Sequence, residues 1–367
     1  MRTAETTNTP QIQIDLLSRL LFQHSQNTDV ENTLPDLELV SAFDESQLSS
    51  LLELANENHV VVRAFEVLRA AAKAKGYQRI ERWTAAAVGE ERARAHHAVS
   101  VLERICNELE TQGCTVAVIK SLDHWPDLGS DLDLYTIGEP EKVQEIMRTR
   151  FNAQAVARSW GDRLANKWNF SVPGLPELIE IHVRYLGQTG EHNKMARRII
   201  ERRVPKTLNG HRFLVAAPEE RILISTLQRM YRHFYFRLCD MADVAALLEA
   251  KALDFDELRK AADVGGIWPG VATFLFLVHR YVERFGGRVP VPEEILDSTC
   301  SPHIRVYFEN GFLRVPKLPA AGLYGAQILS AGRKGDLRAF CRLPLLPPLA
   351  VSALIAMRIT GNDKGIW

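Results

Sequence analysis

The first third of the chain carries apolar residues at the spacing of α-helices. Between residues 44 and 112 these positions recur every three to five residues, as in the segment from Ile80 to Gln112. That spacing places the apolar side chains on one face of a helix. It predicts an N-terminal helical region over residues 36–112. Residues 1–35 are rich in Thr, Asn, Gln and Ser, a composition that orders poorly unless it docks onto other structure, so we expect a flexible tail there.

The period changes at Gly113, where short apolar and alternating runs begin. Alternation of apolar and polar residues is typical of a half-buried strand, and a short β-branched run is typical of a buried one. A helical stretch from Glu139 to Arg150 lies among these runs. The sequence therefore predicts an α/β unit over residues 113–215. Its predicted strands are Cys114 to Ile119, Leu132 to Thr136, Trp168 to Val172 and Leu178 to Tyr185.

Helical spacing returns at Pro218, which is followed by two glutamates and makes a favourable helix start. It predicts a helical domain over residues 216–300, with its first helix from Glu219 to Arg237. The fold class expected for the whole chain is α+β, a small mixed β-sheet core with N-terminal and C-terminal helical regions.

Residues 301–367 end in an apolar run from Phe340 to Met357. We expect this segment to be a strap that closes a hydrophobic groove, and contact with one face of a membrane is the alternative. Its longest apolar stretch is broken by three prolines and is too short to span a bilayer. The sequence thus predicts no transmembrane segment.

Charge and cysteine content narrow the class of protein. Among 367 residues, 45 are Lys or Arg and 45 are Asp or Glu, a formal net charge of zero. This balance argues against a dedicated binder of long nucleic acid, whose affinity depends on a basic surface. The five cysteines form no CxxC pair, and the N-terminus lacks the basic start and apolar run of a secretory signal. We expect a cytoplasmic protein with free thiols.

The candidate chemistry is acidic, since the chain has no GxxxxGK[ST], GxGxxG, GxSxG or HExxH motif. Asp131 and Asp133 are two residues apart in a predicted strand, so their carboxylates point to the same face. Glu180 lies in another alternating strand, and if the two strands are adjacent, three carboxylates surround one point. Such a cluster suits Mg²⁺, which also binds substrate phosphates.

These residues resemble the pattern of the polymerase-β-like nucleotidyltransferase superfamily, closest to a bacterial branch with the form LKG…DxDLL…xDxHW. The resemblance covers roughly residues 100–250 and implies a nucleotidyltransferase core over residues 113–215. The chain departs from the pattern at Ser121, where Gly is usual, and at Glu180, where Asp is usual. The residues carried over are Lys120 and Ser121 at the nucleotide, Asp131, Asp133 and Glu180 as catalytic metal ligands, and His182 and Asp243 in support.

The predicted helix after Pro218 adds candidate nucleotide contacts. One of its stripes carries Arg221, Ser225, Gln228, Arg229 and Arg232. The resemblance implies that this helical domain covers the nucleotide, so Arg229 and Arg232 are expected to bind triphosphate or acceptor. A solvated polar face is the alternative for the stripe.

The function implied is the transfer of a nucleoside monophosphate from an NTP to an acceptor hydroxyl, with Mg²⁺ or Mn²⁺ as cofactor. The acceptor expected is a small molecule, a peptide or a protein. Two alternatives stay open: a binding or regulatory module that keeps the fold without turnover, and a toxin-like transferase that modifies RNA.

Overall fold

The computed structural model describes residues 9–23, 33–299 and 303–360. Sixteen α-helices and ten β-strands are present in those ranges. The helices are α1 (Thr9–Phe22), α2 (Leu34–Ser41), α3 (Glu45–Glu57), α4 (Val61–Lys75), α5 (Gln78–Thr111), α6 (Pro140–Phe151), α7 (Trp160–Ala165), α8 (Lys194–Glu201), α9 (Pro218–Thr226), α10 (Leu238–Glu249), α11 (Phe255–Gly265), α12 (Trp268–Arg284), α13 (Glu293–Asp297), α14 (Lys317–Arg333), α15 (Leu337–Arg342) and α16 (Leu346–Thr360). The strands are β1 (Val116–Val118), β2 (Asp131–Thr136), β3 (Gln154–Ala155), β4 (Lys167–Ser171), β5 (Leu178–Val183), β6 (Val204–Leu208), β7 (His211–Val215), β8 (Tyr235–Phe236), β9 (Tyr307–Glu309) and β10 (Phe312–Arg314).

A mixed seven-stranded sheet forms the centre of the fold, in the order β3-β4-β5-β2-β1-β7-β6. β2 runs parallel to β5 and β1 runs parallel to β7, while the other neighbours are antiparallel. The four strands expected from the sequence are confirmed as β1, β2, β4 and β5. A short β-branched run predicted β1 and alternation predicted β2 and β5, and one face of each strand packs into a common apolar cluster, which includes Leu132, Leu134 and Ile181.

Helices surround this sheet, so the α+β fold class is confirmed. α5 is 34 residues long and buries Val99, Leu102 and Ile105 against the sheet cluster. The other N-terminal helices share a second, larger apolar core with α9 to α12. The helical region before the sheet and the one after it are therefore joined through one core.

The N-terminal segment differs from the flexible tail expected for residues 1–35. Residues 9–22 form α1, which buries Ile14, Leu16, Leu17 and Leu20 at 0–1% exposure in the larger core. The polar composition hid four apolar residues that share one face, and docking that face offsets the entropy of ordering the segment. The rest of the expected tail includes residues 1–8 and 24–32, which lie outside the described residues.

The C-terminal segment contains more than a strap. β9 and β10 form a hairpin that pairs with β8 in a second, three-stranded sheet. α14, α15 and α16 follow, with a short 3₁₀ turn at Leu343–Leu345 between the last two. No helix in the described ranges combines the length and the apolar character needed to cross a bilayer.

Candidate active site

Two adjacent strands bring the predicted acids together. β2 and β5 pair in parallel, and Asp133 lies directly beside Glu180 in the register. The condition that the sequence left open, that these two strands are adjacent, is therefore met. Asp131 lies two residues before Asp133 on the same face of β2, at the end of the strand where the chain enters the sheet.

The carboxylates of Asp133 and Glu180 are surrounded by cationic and imidazole groups. Lys120 Nζ lies 2.6 Å from Asp133 Oδ1. Lys167 Nζ lies 3.0 Å from Glu180 Oε2, and His182 Nε2 lies 2.8 Å from Glu180 Oε1 and 3.6 Å from Asp133 Oδ1. Both oxygens of Glu180 thus have partners within the protein.

The pKa values of two of these acids are shifted in opposite directions. Burial, followed by the charges of Asp133 and Glu180, raises the pKa of Asp131 above its usual range. Burial also disfavours ionisation of Glu180, but Lys167 and the hydrogen bond from His182 outweigh it and hold the pKa of Glu180 well below its usual range. Asp131 is therefore a crowded carboxylate with little compensation, whereas Glu180 is a paired one.

A tight turn after β1 places Lys120 and Ser121 beside the acids. The positive φ of this turn, 63°, falls on Lys120, and Ser121 adopts an ordinary negative φ. The departure from the family pattern, Ser where Gly is usual, is at position 121. The backbone conformation that favours Gly is one residue earlier, at Lys120.

Ser121 itself is directed toward β2. Its Oγ accepts a 2.7 Å hydrogen bond from the backbone N–H of Asp133 and lies 3.3 Å from the carbonyl oxygen of Asp131. The residue is 2% exposed, and its own N–H donates to the carbonyl of Ile119. The hydroxyl and the N–H of Ser121, a residue expected at the nucleotide, are thus both engaged inside the protein, and Ser121 fixes the backbone that carries the two aspartates.

A cleft opens beside Lys120 and His182. Its other walls are Ile119, Leu186, Gly187, Gln188, Glu191, Ile224, Leu227, Gln228, Tyr231, Arg232 and Leu346. Arg232 forms no ion pair within the described part of the chain, and its Nε is buried without a hydrogen-bond partner. The positive charge of Arg232 acts on Lys167, so the cleft has a cationic wall close to the acids.

The predicted helix from Glu219 to Arg237 is not a continuous α-helix. α9 gives way to a π-helical segment at Leu227–His233, and Phe234 with a φ of 56° ends it. A π-helix bonds residue i to i+5 and turns side chains away from their α-helical positions. The single stripe expected for this helix is consequently split between two sides of the element.

Arg229 shows the effect of this split. It is 2% exposed, and its Nε lies 2.8 Å from Asp240 Oδ2, so it does not line the cleft as expected for a nucleotide ligand. Arg221 lies 2.7 Å from Asp123 Oδ1. Of the five residues of the stripe, Gln228 and Arg232 line the cleft. The stripe as a whole is therefore neither a solvated polar face nor a set of nucleotide contacts.

Asp243 is placed in a different cluster. Its Oδ1 accepts a 2.7 Å hydrogen bond from Arg63 Nη1, and its Oδ2 bonds His124 Nδ1. The ligand atoms of His124, Cys239 and Asp243 lie within 4.8 Å of one another. Asp243, which the resemblance placed in support of the metal ligands, therefore pairs with Arg63 and His124 and does not join the acids on the sheet.

The donor set on the sheet fits a divalent cation. Ligand atoms from Asp133, Glu180 and His182 all lie within 4.8 Å of one another. Oxygen ligands of one Mg²⁺ lie up to about 4.2 Å apart, because each is about 2.1 Å from the ion. The charges of Asp133 and Glu180 act on Asp131 and raise its pKa. Among the described residues, the carboxylate of Asp131 receives only a 3.3 Å hydrogen bond from Ser130.

Sequence reasoning missed residues that complete this site. Lys167 starts β4 and bridges Glu180 to Asp162, whose Oδ1 is 2.9 Å away. Lys167 stands directly before a predicted strand, which was a usable signal, but the antiparallel pairing of β4 with β5 was not readable. The loop with Gln188 and Glu191 carried no motif.

A sequence model of the family described as uncharacterised nucleotidyltransferase matches residues 44–283. The chain belongs to this family. The match covers most of the chain and includes α3 to α11, nearly all of α12 and the whole seven-stranded sheet, so the nucleotidyltransferase family expected from the sequence is confirmed.

Solved structures similar to this nucleotidyltransferase are distant. One is the antibiotic-resistance factor ANT(2'')-Ia, at 11% identity and a TM-score of 0.33, covering 46% of this chain and 91% of that one. Another is an antigenic nucleotidyltransferase-like protein from Paracoccidioides brasiliensis, at 14% identity and a TM-score of 0.31, covering 56% and 95%. No curated protein sequence matches the chain.

Proposed function

We propose that this nucleotidyltransferase transfers a nucleoside monophosphate from an NTP to an acceptor hydroxyl with the help of Mg²⁺, for which Mn²⁺ can substitute. The observation that carries the proposal is the juxtaposition of three carboxylates on adjacent strands with a cleft that has cationic residues in its wall. The family supports nucleotidyl transfer. The cofactor and the acceptor are our inference.

In this proposal Asp131, Asp133 and Glu180 hold the cation, and Lys120 and Arg232 bind the triphosphate. When bound, the divalent ion neutralises charge on the α-phosphate and on the leaving pyrophosphate. Lys120 already contacts Asp133 at 2.6 Å, so its ammonium can be shared between that carboxylate and a phosphate oxygen. Arg232 offers a fork of N–H donors suited to phosphate, and no carboxylate within the described residues competes for it.

Both carboxylate oxygens of Glu180 have partners within the protein. Lys167 and His182 hold the carboxylate ionised and fix its orientation beside Asp133. Ligation of a cation by Glu180 therefore replaces or shares the His182 contact. His182 and Lys167 support the site by keeping this carboxylate in position.

The cleft favours a compact acceptor, either a small molecule or a side chain of a peptide or protein. Its walls combine apolar residues with Gln188, Glu191 and Gln228, which suits polar groups held one at a time. The net charge of zero gives no general attraction for a long polyanion. We place the protein in the cytoplasm, which agrees with the free buried thiols of Cys106, Cys114 and Cys239.

The experiment that tests this function is incubation of the protein with each α-labelled NTP, Mg²⁺ or Mn²⁺ and cell extract. Label on a small molecule, peptide or protein, with loss of labelling in Asp133→Asn, supports the proposal. Label on RNA would instead identify an RNA-modifying transferase. NTP binding with no labelled product in any extract would identify a binding module without turnover.

A further inference from the structure

The C-terminal helices expose an unusual amount of apolar surface. Of thirteen exposed large apolar side chains among the described residues, seven lie between positions 329 and 359. Leu337 is 76% exposed and Ile359 is 78% exposed, and they lie on different helices of this segment. Single exposed apolar residues need no explanation, but such a concentration marks an interaction surface.

α16 carries the most regular part of this surface. Val351, Ile355 and Ile359 are spaced by four residues and are 54%, 52% and 78% exposed, so they form one stripe along the helix. α16 has 15 residues, a length of about 22 Å at 1.5 Å per residue. A bilayer core is about 30 Å thick, which means that α16 can lie on a membrane surface but cannot span it.

The segment is anchored to the rest of the protein by its inner side. Arg338 Nε donates to the carbonyl of Gly190 at 2.8 Å, and Arg342 Nη1 donates to the carbonyl of Leu164 at 2.8 Å. Among the described residues, its own apolar cluster contains the buried residues Ala331, Ala339, Leu343 and Leu346. These contacts hold α15 and the start of α16 against the rest of the protein, and the stripe of α16 beyond them is exposed.

The excess of basic residues in this segment indicates an anionic partner. From Arg333 to Arg358 the chain has five basic residues and one acid, Asp336, although the whole protein has a net charge of zero. Arg333 and Arg358 are exposed. A surface that joins apolar side chains with exposed basic ones complements the anionic headgroups and acyl boundary of a lipid bilayer.

We propose that the exposed face of α14, α15 and α16 docks onto an anionic membrane surface, with the apolar stripe of α16 inserted at the headgroup boundary. Leu346, the first residue of α16, lines the cleft beside Lys120. Docking therefore holds the cleft close to the membrane. The inference does not depend on the proposed transfer reaction.

The test is flotation of the full chain with vesicles of phosphatidylcholine alone or mixed with phosphatidylglycerol. Binding to the anionic vesicles that weakens as salt is raised supports the proposal, because surface attraction is screened. Absence of binding to anionic vesicles, or equal binding to both kinds, overturns it.

Matched variants locate the surface. Ile355→Glu combined with Ile359→Glu should lower vesicle affinity at least tenfold, while Val264→Glu, at a 38% exposed position on α11, should not. Arg333→Gln with Arg358→Gln should lower the vesicle affinity roughly thirtyfold, while the exposed pair Lys73→Gln and Lys75→Gln should change it little. All variants alter exposed residues, and circular dichroism checks their folding.

A second copy of the chain is the competing occupant of this face. Light scattering after size exclusion measures it without lipid. A dimer that Ile355→Glu dissociates, together with unchanged vesicle binding of that variant, would assign the face to self-association and overturn membrane docking.

Discussion

At the scale of single residues, the site depends on side chains that hold other side chains. The alternation of apolar and acidic residues predicted that Asp131, Asp133 and Glu180 project from two strands, because that property depends only on the period of a strand. The contacts of Ser121 and Lys167 could not be predicted. They depend on the conformation of a turn and on the pairing of strands distant in sequence.

Ser121 is expected to stabilise the backbone of the aspartate pair. Ser121→Ala leaves the buried N–H of Asp133 without its partner, which costs roughly 1–3 kcal/mol and loosens the two carboxylates. We expect a lower melting temperature and lower transfer activity. Ser121→Gly should do the same, because the positive φ belongs to Lys120.

Ser171→Ala is the matched control, since Ser171 is exposed on β4 of the same sheet. Differential scanning calorimetry and the transfer assay report the two effects. Equal melting temperatures for Ser121→Ala and Ser171→Ala would show that the hydrogen bond to Asp133 contributes nothing.

Asp131 and Glu180 are expected to affect stability in opposite directions when no metal is present. The raised pKa of Asp131 means that ionisation of this carboxyl destabilises the folded state. The loss of folding free energy grows as the pH rises above about 4, the ordinary pKa of Asp. Asp131→Asn should therefore melt above the wild type at pH 7. The difference should vanish near pH 4.

Glu180 has a lowered pKa, so its ionised form stabilises the fold above about pH 4.3. This stability is lost as pH falls through the lower pKa of the folded state. Glu180→Gln should melt below the wild type at pH 7, at a cost of roughly 3 kcal/mol for breaking a buried pair. Melting curves in EDTA at pH 4 and pH 7 measure both variants, and shifts of the same sign at pH 7 would refute this account.

At the scale of elements, regular periods were predictive and their interruptions were not. The strands β1, β2, β4 and β5 followed the short apolar and alternating runs, and α10 to α12 followed the helical spacing. A regular period of about 3.6 residues per turn places Arg229 and Arg232 on one stripe. The π-helical segment at Leu227–His233 does not keep that period. Tertiary packing decides such an interruption, so local pattern does not reveal it.

The contribution of α1 to the core can be tested directly. Its polar composition did not predict a helix with a buried apolar face. Leu17 is 0% exposed in the larger core, so Leu17→Ala should cost about 2–5 kcal/mol. Leu21 on the same helix is only partly buried, and Leu21→Ala should cost clearly less. Urea unfolding compares the two variants, and equally small losses would mean that α1 does not contribute to the stability of the core.

At the scale of the whole molecule, one arginine connects three parts of the fold. Arg63 on α4 bonds Asp127 in the loop before β2, with Nε to Oδ2 at 3.1 Å, and Asp243 on α10. Asp127 also accepts the backbone N–H groups of Val62 and Arg63 at the start of α4. This carboxylate is 0% exposed, and burial raises its pKa to about 6 despite Arg63.

Removal of this cation should uncouple the three parts. Arg63→Met leaves Asp127 buried without its charged partner and leaves Asp243 paired with His124, which costs about 3–5 kcal/mol. Arg92→Met removes an ion pair whose side chains are 48% and 41% exposed, and it should cost at most about 1 kcal/mol. Calorimetric melting of both variants checks this, and similar losses would contradict a connecting role for Arg63.

The α+β class and the candidate acids were accessible from the sequence. The pairing of β2 with β5, which brings the acids together, and the connections between regions were not. Arg63 and Asp127 are 64 residues apart, and no periodic pattern links such positions. The boundaries between domains therefore remain predictions. A shared apolar core joins α1 to α4 with α9 to α12.

The central claim is that the acids on β2 and β5 bind an NTP together with a divalent cation. Calorimetric titration with an NTP analogue that cannot be cleaved at the α-phosphate tests it most directly. For the wild type we predict binding in Mg²⁺ that weakens at least tenfold in EDTA. Asp131→Asn should bind in Mg²⁺ no better than the wild type does in EDTA, and Glu139→Gln, which changes a 65% exposed acid, should match the wild type. Equal affinities for all three proteins, with and without Mg²⁺, would contradict the account.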